Sequence, residues 1–215
     1  MPYDDASEST KEGRHYAAGV SQCGGCVMNG SVLLDTERLI VRSVTADDVD
    51  AVFEYNMRTD VYRRPTEPIH GPAYYSRALC RSAQERWVKH FADGTGARFL
   101  AFRRGFSDHV IGIVNLHDIR PWPTLSTMLG YPLHPEFEGH GYMHEALTAI
   151  IRWAFEERGL HRIEAGHLPE NRRSSNVLRR LGFVEEGRLR QNVAINGEWR
   201  DHILTSLLNS AIAPD

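Results

Sequence analysis

Glu138-Gly139-His140-Gly141-Tyr142-Met143 is the stretch on which the reading of this chain turns. Before it, Ser126-Thr127-Met128-Leu129-Gly130-Tyr131-Pro132-Leu133 has a strand-like composition. After it, apolar residues at helical spacing run from Tyr142 to about Arg158. Strand, glycine turn, helix start: this order aims several backbone N–H groups at one spot, at the positive end of a helix dipole. Gly139 and Gly141 put no side chain in the way. Such a cradle suits a diphosphate. About thirty residues on, Asn171-Arg172-Arg173-Ser174 opens a second, shorter helix that closes at Leu181-Gly182-Phe183.

The surrounding pattern is that of one α/β domain. Residues 1–32 are polar and glycine-rich without periodicity and read as a flexible leader; globular signal begins at Leu33. Met28, just before that pattern, is a candidate start. Leu39–Ser43 is a short strand. Thr45 caps a helix carrying Val49, Val52, Phe53 and Asn56. A proline-marked loop at 64–72 leads into a helix from about Ala73 to Phe91. Strands follow at Arg98–Arg103, Val110–Ile119 and Thr124–Leu133, joined by turns that make antiparallel hairpins. The helix after Gly141 crosses over to a buried strand at Arg162–Leu168, which makes that pair parallel. Glu186–Ala194 and Trp199–Leu207 meet at Asn196-Gly197, a strong hairpin signal. The expectation is a domain at 33–209 with a mixed, mostly antiparallel sheet flanked by helices, and a tail at 210–215.

The net charge of −3 argues against general binding to nucleic acid or an acidic membrane. No apolar run reaches the ~18 residues of a membrane helix. Three cysteines, Cys23, Cys26 and Cys80, fit a reducing cytoplasm. Cys23-Gly24-Gly25-Cys26 is half of a zinc site with no second pair, so no metal centre is expected. A dinucleotide fold would need a third glycine and an early first strand, and a P-loop would need Gly-Lys-Ser/Thr; both are missing.

A glycine cradle after a third antiparallel strand, then a parallel strand, an Asn-x-x-Ser helix and Gly-Phe, resembles the GNAT superfamily of acetyl-CoA-dependent acyltransferases. Within it, Gly141-Tyr142-Met143-His144-Glu145-Ala146-Leu147-Thr148, Pro169-Glu170-Asn171-Arg172-Arg173-Ser174, Leu181-Gly182-Phe183-Val184-Glu185-Glu186-Gly187 and Gly197-Glu198-Trp199-Arg200-Asp201-His202 are similar to the RimJ/RimL-type N-terminal acetyltransferases, and the last two resemble the ribosomal-protein alanine enzymes above all. Two positions depart from the family's diphosphate motif: Glu138 stands where Gln or Arg is usual, and Met143 where Gly or Ala is usual.

The resemblance implies acetyl-CoA as donor and a splayed central parallel pair that admits it. Glu138, Gly139, His140, Gly141, Tyr142 and Met143 then form the diphosphate site, and Leu133 pairs with the pantetheine arm as another strand would. Pro132 reads either as a sign of the splay or as a strand end. Asn171 reads as a contact to the pantetheine amide, as a helix cap, or as both. Ser174 faces the same way one turn on and is the candidate proton donor to the leaving thiolate; its bland reading is a helix N-terminal serine. Relatives place a carboxylate on the strand after Gly-Phe, but Arg190-Gln191-Asn192-Val193 holds no acid. Glu67 in the proline-rich loop and His167 near the strand end are the substitute bases, each also readable as structural. Asn115 and His117 read as structural before acceptor-lining. Arg172, Arg173, Arg179 and Arg180 read equally as contacts to the adenosine 3′-phosphate or as a solvated face. Trp199-Arg200-Asp201-His202 reads as a sheet-edge feature or a homodimer seam.

The function expected is cytoplasmic N-acetylation of the α-amine of a protein such as a ribosomal protein, with ribosome association as a corollary. The rivals are acetylation of a small amine (an amino-sugar drug or toxic metabolite) and a non-catalytic acetyl-CoA-binding or ribosome-associated module.

Overall fold

The computed structural model describes residues 25–28, 31–60, 76–105 and 109–213. Its strands are β1 (Gly25–Met28), β2 (Ser31–Asp35), β3 (Leu39–Ser43), β4 (Ala97–Arg103), β5 (Val110–Arg120), β6 (Ser126–Gly130), β7 (Arg162–His167), β8 (Val184–Ile195) and β9 (Glu198–Leu208). Its helices are α1 (Val49–Asp60), α2 (Arg77–Ala92), α3 (Tyr142–Glu156) and α4 (Arg172–Arg180). The strands form one sheet in the order β1-β2-β3-β4-β5-β6-β7-β9-β8. Neighbours are antiparallel except β6 and β7, whose parallel pairing is made possible by the α3 crossover. The mixed, mostly antiparallel sheet expected from the pattern is the sheet found.

Each face of the sheet has its own apolar cluster. On one, Ala146, Leu147, Ile150 and Ala154 of α3 and Leu178 of α4 are buried against Leu39, Val41, Phe99, Val114, Leu116, Ile163 and Ala165. Burying each large aliphatic side chain is worth about 1.5–3 kcal/mol, so α3 is held chiefly by this packing. On the other face, Val52 and Tyr55 of α1 pack with Leu100, Val110 and Ile113. The start of α1 is set by Asp48. Its buried carboxylate accepts from the Thr45 N–H (2.7 Å) and hydroxyl (2.9 Å) and from Arg42 Nη1 (2.8 Å). Burial alone would raise that carboxyl; the hydrogen bonds from Arg42 and Thr45 outweigh it and hold it below the usual aspartate range.

The chain ends α4 as Gly182 foretold. Phe183 N–H donates to Leu178 O (3.0 Å) and Gly182 N–H to Arg179 O (3.1 Å), with Gly182 at φ +89°. Asn196 and Gly197 are both left-handed, as a two-residue hairpin turn requires.

Three expectations shift. Strand structure begins well inside the supposed leader: Gly25–Met28 pairs with Ser31–Asp35, and β2 continues onto β3. The described part of the second helix starts at Arg77, where Ser76 Oγ caps Leu79 N–H (3.2 Å), and Ala73 lies outside the described residues. The strand expected to reach Leu133 ends at Gly130, because Pro132 has no N–H to continue the ladder.

Candidate active site

The site begins where the parallel pair comes apart. The register of β6 with β7 ends at Leu129 opposite Ala165. Beyond it the β6 arm stays with β5: Ile113 N–H donates to Pro132 O (3.0 Å) and His134 N–H to Ile111 O (2.8 Å). The β7 arm stays with β9, Gly166 opposite Leu204 and His167 opposite Ile203. Two strands that are neighbours below are therefore apart above. Pro132 sits at a position whose backbone faces β5, so alternation turns the N–H and C=O of Tyr131 and Leu133 towards the opening. Both readings of Pro132 hold: it ends the strand, and it does so at the splay.

At the mouth of the opening stands the glycine cradle. Gly139 (φ +78°) and Gly141 (φ +79°) are both left-handed. A Cβ at Gly139 would meet nothing within 4 Å, and one at Gly141 would lie 3.5 Å from Arg38 Nη2. The first helical bond here is from Glu145 N–H to Gly141 O (3.1 Å), so the N–H groups of Tyr142, Met143 and His144 have no intrahelical acceptor. Tyr142 and Met143 are buried in the core, so the Met143 side chain is accommodated there where a smaller residue is usual. His140 is exposed and its ring stacks on Tyr142 at 5.8 Å. The Glu138 carboxylate is ion-paired with Arg173 of α4, across the opening.

A clasp from the β2–β3 turn completes the cradle, and the sequence reading missed it. Arg38 donates from Nη1 to His140 O (2.9 Å) and from Nε to Glu145 Oε2 (2.7 Å). The Arg38 N–H and the Thr36 hydroxyl both reach Glu145 Oε1, at 2.8 and 2.7 Å. Burial would raise the Glu145 carboxyl, and these bonds from Thr36 and Arg38 hold it below the usual range instead. A signal was available. An acid in the first turn of an anion-binding helix works against the anion unless a cation covers it, and Arg38 does so beside Gly141.

On the other side of the opening, Asn171 caps α4: its Oδ1 accepts the Ser174 N–H (3.1 Å). Ser174 Oγ lies 2.7 Å from the Tyr131 hydroxyl, which joins the β6 arm to the helix that follows the β7 arm. Burial pushes Tyr131 up to about 12, with the Ser174 hydrogen bond acting in the opposite sense. His167 is buried, and its Nδ1 lies 2.8 Å from Leu168 O. A carbonyl only accepts, so Nδ1 carries a proton and donates it to Leu168 O. Glu67 lies outside the described residues.

The face of the sheet away from α3 is polar at the opening. Arg98 donates to Asn115 Oδ1 (2.7 Å) and lies over the Trp87 ring, whose edge meets His117 at 5.2 Å. Burial, with the charge of Arg98, holds His117 below the usual histidine range. Further along, Glu164 and Glu186 are both bound by Arg162, at 2.9 and 2.8 Å. Of the β9 motif, Asp201 clasps Arg188 and the Gln191 N–H across the β8 bulge (2.7 Å each), Arg200 pairs with Glu170, and Trp199 is exposed.

A sheet split at one parallel pair, with a glycine cradle on the crossover helix, defines an acyltransferase of the GNAT fold. The chain belongs to that family: residues 38–184 match its acetyltransferase (GNAT) domain. By family it is an N-acetyltransferase. It is 32% identical over 176 residues to the [ribosomal protein uS5]-alanine N-acetyltransferase of Escherichia coli (strain K12), covering 82% of this chain and 90% of that one. The solved ribosomal-protein-S5-alanine acetyltransferase of Vibrio fischeri superposes with TM-score 0.80 at 31% identity, over 85% of this chain and 99% of that one. Mycobacterium smegmatis RimJ, solved in complex with CoA-disulfide, superposes with TM-score 0.74 at 25% identity, over 81% and 83%. Among the described residues no helix is long and apolar enough to cross a membrane.

Proposed function

We propose that the chain transfers the acetyl group of acetyl-CoA to the α-amine of a protein N-terminus, with an alanine-ended ribosomal protein as substrate. The observation that carries the donor is the cradle: two left-handed glycines before a helix start, at the mouth of a splayed parallel pair. In this reading the N–H groups of 139–143 bind the diphosphate, helped by the charge of Arg38. The pantetheine arm lies along Tyr131 and Leu133 as an added strand, with Asn171 at its far side.

The acceptor rests on the relatives' named substrates and on the charge of the open face. A polyamine or amino-sugar needs carboxylates to bind its ammonium groups. Glu164 and Glu186 are instead held by Arg162. An α-amine titrates near ~8, so a useful fraction is neutral at working pH. Its nitrogen attacks the thioester carbonyl carbon, the C–S bond breaks with its electron pair on sulfur, and the surplus proton on nitrogen goes to His167 Nε2. Glu67 is the alternative base. Ser174 hydrogen-bonds the leaving thiolate, and the part of the leader before the β1 strand is dispensable for turnover in this reading.

Release of CoA thiol is to be followed with an alanine-ended peptide and the intact ribosomal protein, each free and N-terminally blocked, and with spermidine and an aminoglycoside. Turnover is expected with the free N-termini and not with the blocked ones. Turnover confined to the small amines would overturn the acceptor assignment and leave the donor assignment standing.

A further inference from the structure

We infer that Tyr131 is a positioning residue for the transfer step: its hydroxyl donates to Ser174 Oγ and so turns the single Ser174 proton into the splay, towards the thioester sulfur. The inference rests on the donor reading above. The argument is one of proton count. Tyr131 and Ser174 each own one hydroxyl proton, and their oxygens are 2.7 Å apart, so one of them donates to the other. If Ser174 donated, its proton would be spent on Tyr131 and none would face sulfur. If Tyr131 donates, the Ser174 proton is released for the ligand.

Three features select the second arrangement. A phenol is the stronger donor and the weaker acceptor of the two. Among the described residues Tyr131 has one other oxygen in reach, Ser174 O at 3.5 Å, the limit of a useful bond. Burial also keeps the phenol protonated, since it titrates only at about 12. The two arms of the splay fix the geometry: Tyr131 rides on the one that follows β5, and Ser174 on the helix that follows the other. Two hydroxyls in series polarise each other, so the Ser174 bond to a developing thiolate is stronger than that of a lone serine. No proton needs to be surrendered. As the C–S bond breaks, sulfur keeps the electron pair and accepts the Ser174 hydrogen bond. The thiolate is then protonated, through water, by the proton that the amine gave up to the base, so no charge is left over, and Tyr131 and Ser174 finish with the protons they began with.

The test is a double-mutant cycle with two readouts. The first is kcat with whichever amine turns over, where Ser174→Ala is expected to cost about 30- to 100-fold, as for a hydrogen bond to a charged group. Tyr131→Phe should cost about 10-fold with KM for acetyl-CoA unchanged. In the Ser174→Ala background Tyr131→Phe should cost nothing, because it acts through a hydroxyl already removed. The second readout needs no acceptor: the thiolate absorbance of bound CoA against pH. The bound thiol should titrate lowest in the unaltered chain and rise in both single variants, with no further rise in the double. A Tyr131→Phe penalty that persists without Ser174 would show a packing role and overturn the inference, as would a thiol titration that Tyr131→Phe leaves unmoved. If CoA does not bind the unaltered chain at all, the inference falls together with the donor reading. Failure of the peptide assay alone leaves the CoA titration, and this inference, intact.

Discussion

Gly139→Ala separates the two things that a cradle glycine does. Gly139 is left-handed, and no atom of the described residues outside its chain neighbours lies within 4 Å of an added Cβ. The methyl group therefore clashes with none of the described residues, and its cost in the free protein is conformational, about 1 kcal/mol. For a domain of this size that lowers Tm by about 2–4 °C. Gly159 is a matched control. It too is left-handed with nothing within 4 Å of its Cβ position, but it follows the opposite end of α3. Gly159→Ala should cost the same in the free protein.

Acetyl-CoA separates the pair. At a concentration about 100 times Kd it adds about 2.7 kcal/mol, a rise of roughly 5–10 °C. If the empty space above Gly139 is where the diphosphate sits, a methyl group there weakens binding on the order of 100-fold. The ligand is then near its new Kd, and the gain shrinks to about 0.4 kcal/mol, roughly 1 °C. Gly159→Ala should keep the full rise. Thermal melts of the three proteins with and without acetyl-CoA decide the matter. Equal ligand-induced shifts in both variants would mean that the phosphates lie elsewhere, and the reasoning from open space to ligand would be refuted.

Two further outcomes are expected. Asp48→Asn leaves Arg42 without its partner and should cost roughly 2–3 kcal/mol at neutral pH, less than a fully buried pair because Arg42 is 31% exposed. The folded Asp48 carboxyl titrates below its unfolded value, so this contribution is complete above the ordinary aspartate range and is lost as pH falls through the folded value; urea titrations of the two proteins should converge in acid. His167→Asn keeps a donor for Leu168 O and removes the Nε2 lone pair, so kcat/KM should fall about 10²- to 10³-fold without loss of acetyl-CoA binding; unchanged kinetics would pass the base role to Glu67 or to water.

What was legible in the sequence was what local chemistry enforces. The α3 stripe declared itself by spacing, Gly182 by its position after Leu181, and the last hairpin by Asn196-Gly197. The first hairpin was passed over because Gly25–Met28 is only four residues long and carries no alternation. Yet Asn29-Gly30 stands between β1 and β2, the same dipeptide that gave away the hairpin at the other end. The cradle was readable for the same local reason: strand end, glycines and helix start follow one another within about a dozen residues. The partners that complete it were not. Tyr131 meets Ser174 across 43 positions and Arg38 meets Glu145 across 107, and only the closed sheet brings them together. Glu138 stands where the family's motif has Gln or Arg. Its pairing with Arg173 restores the charge balance from a helix that begins well downstream.

The divergence beyond Leu129 and Ala165 has a mechanical consequence. Among the described residues, the strands from β1 to β6 are joined to β7, β9 and β8 through four register pairs, with Leu125 O bonded to the His161 and Arg162 N–H groups at the lower end. That is a short seam for so wide a sheet, and above it the fabric is slit. In the reading proposed above, the pantetheine arm is the thread that closes the slit, bonded to one lip at Tyr131 and Leu133. The donor thereby becomes a temporary strand of the enzyme that uses it. In the same reading the protein is stiffest while loaded, and release of spent CoA means reopening the seam.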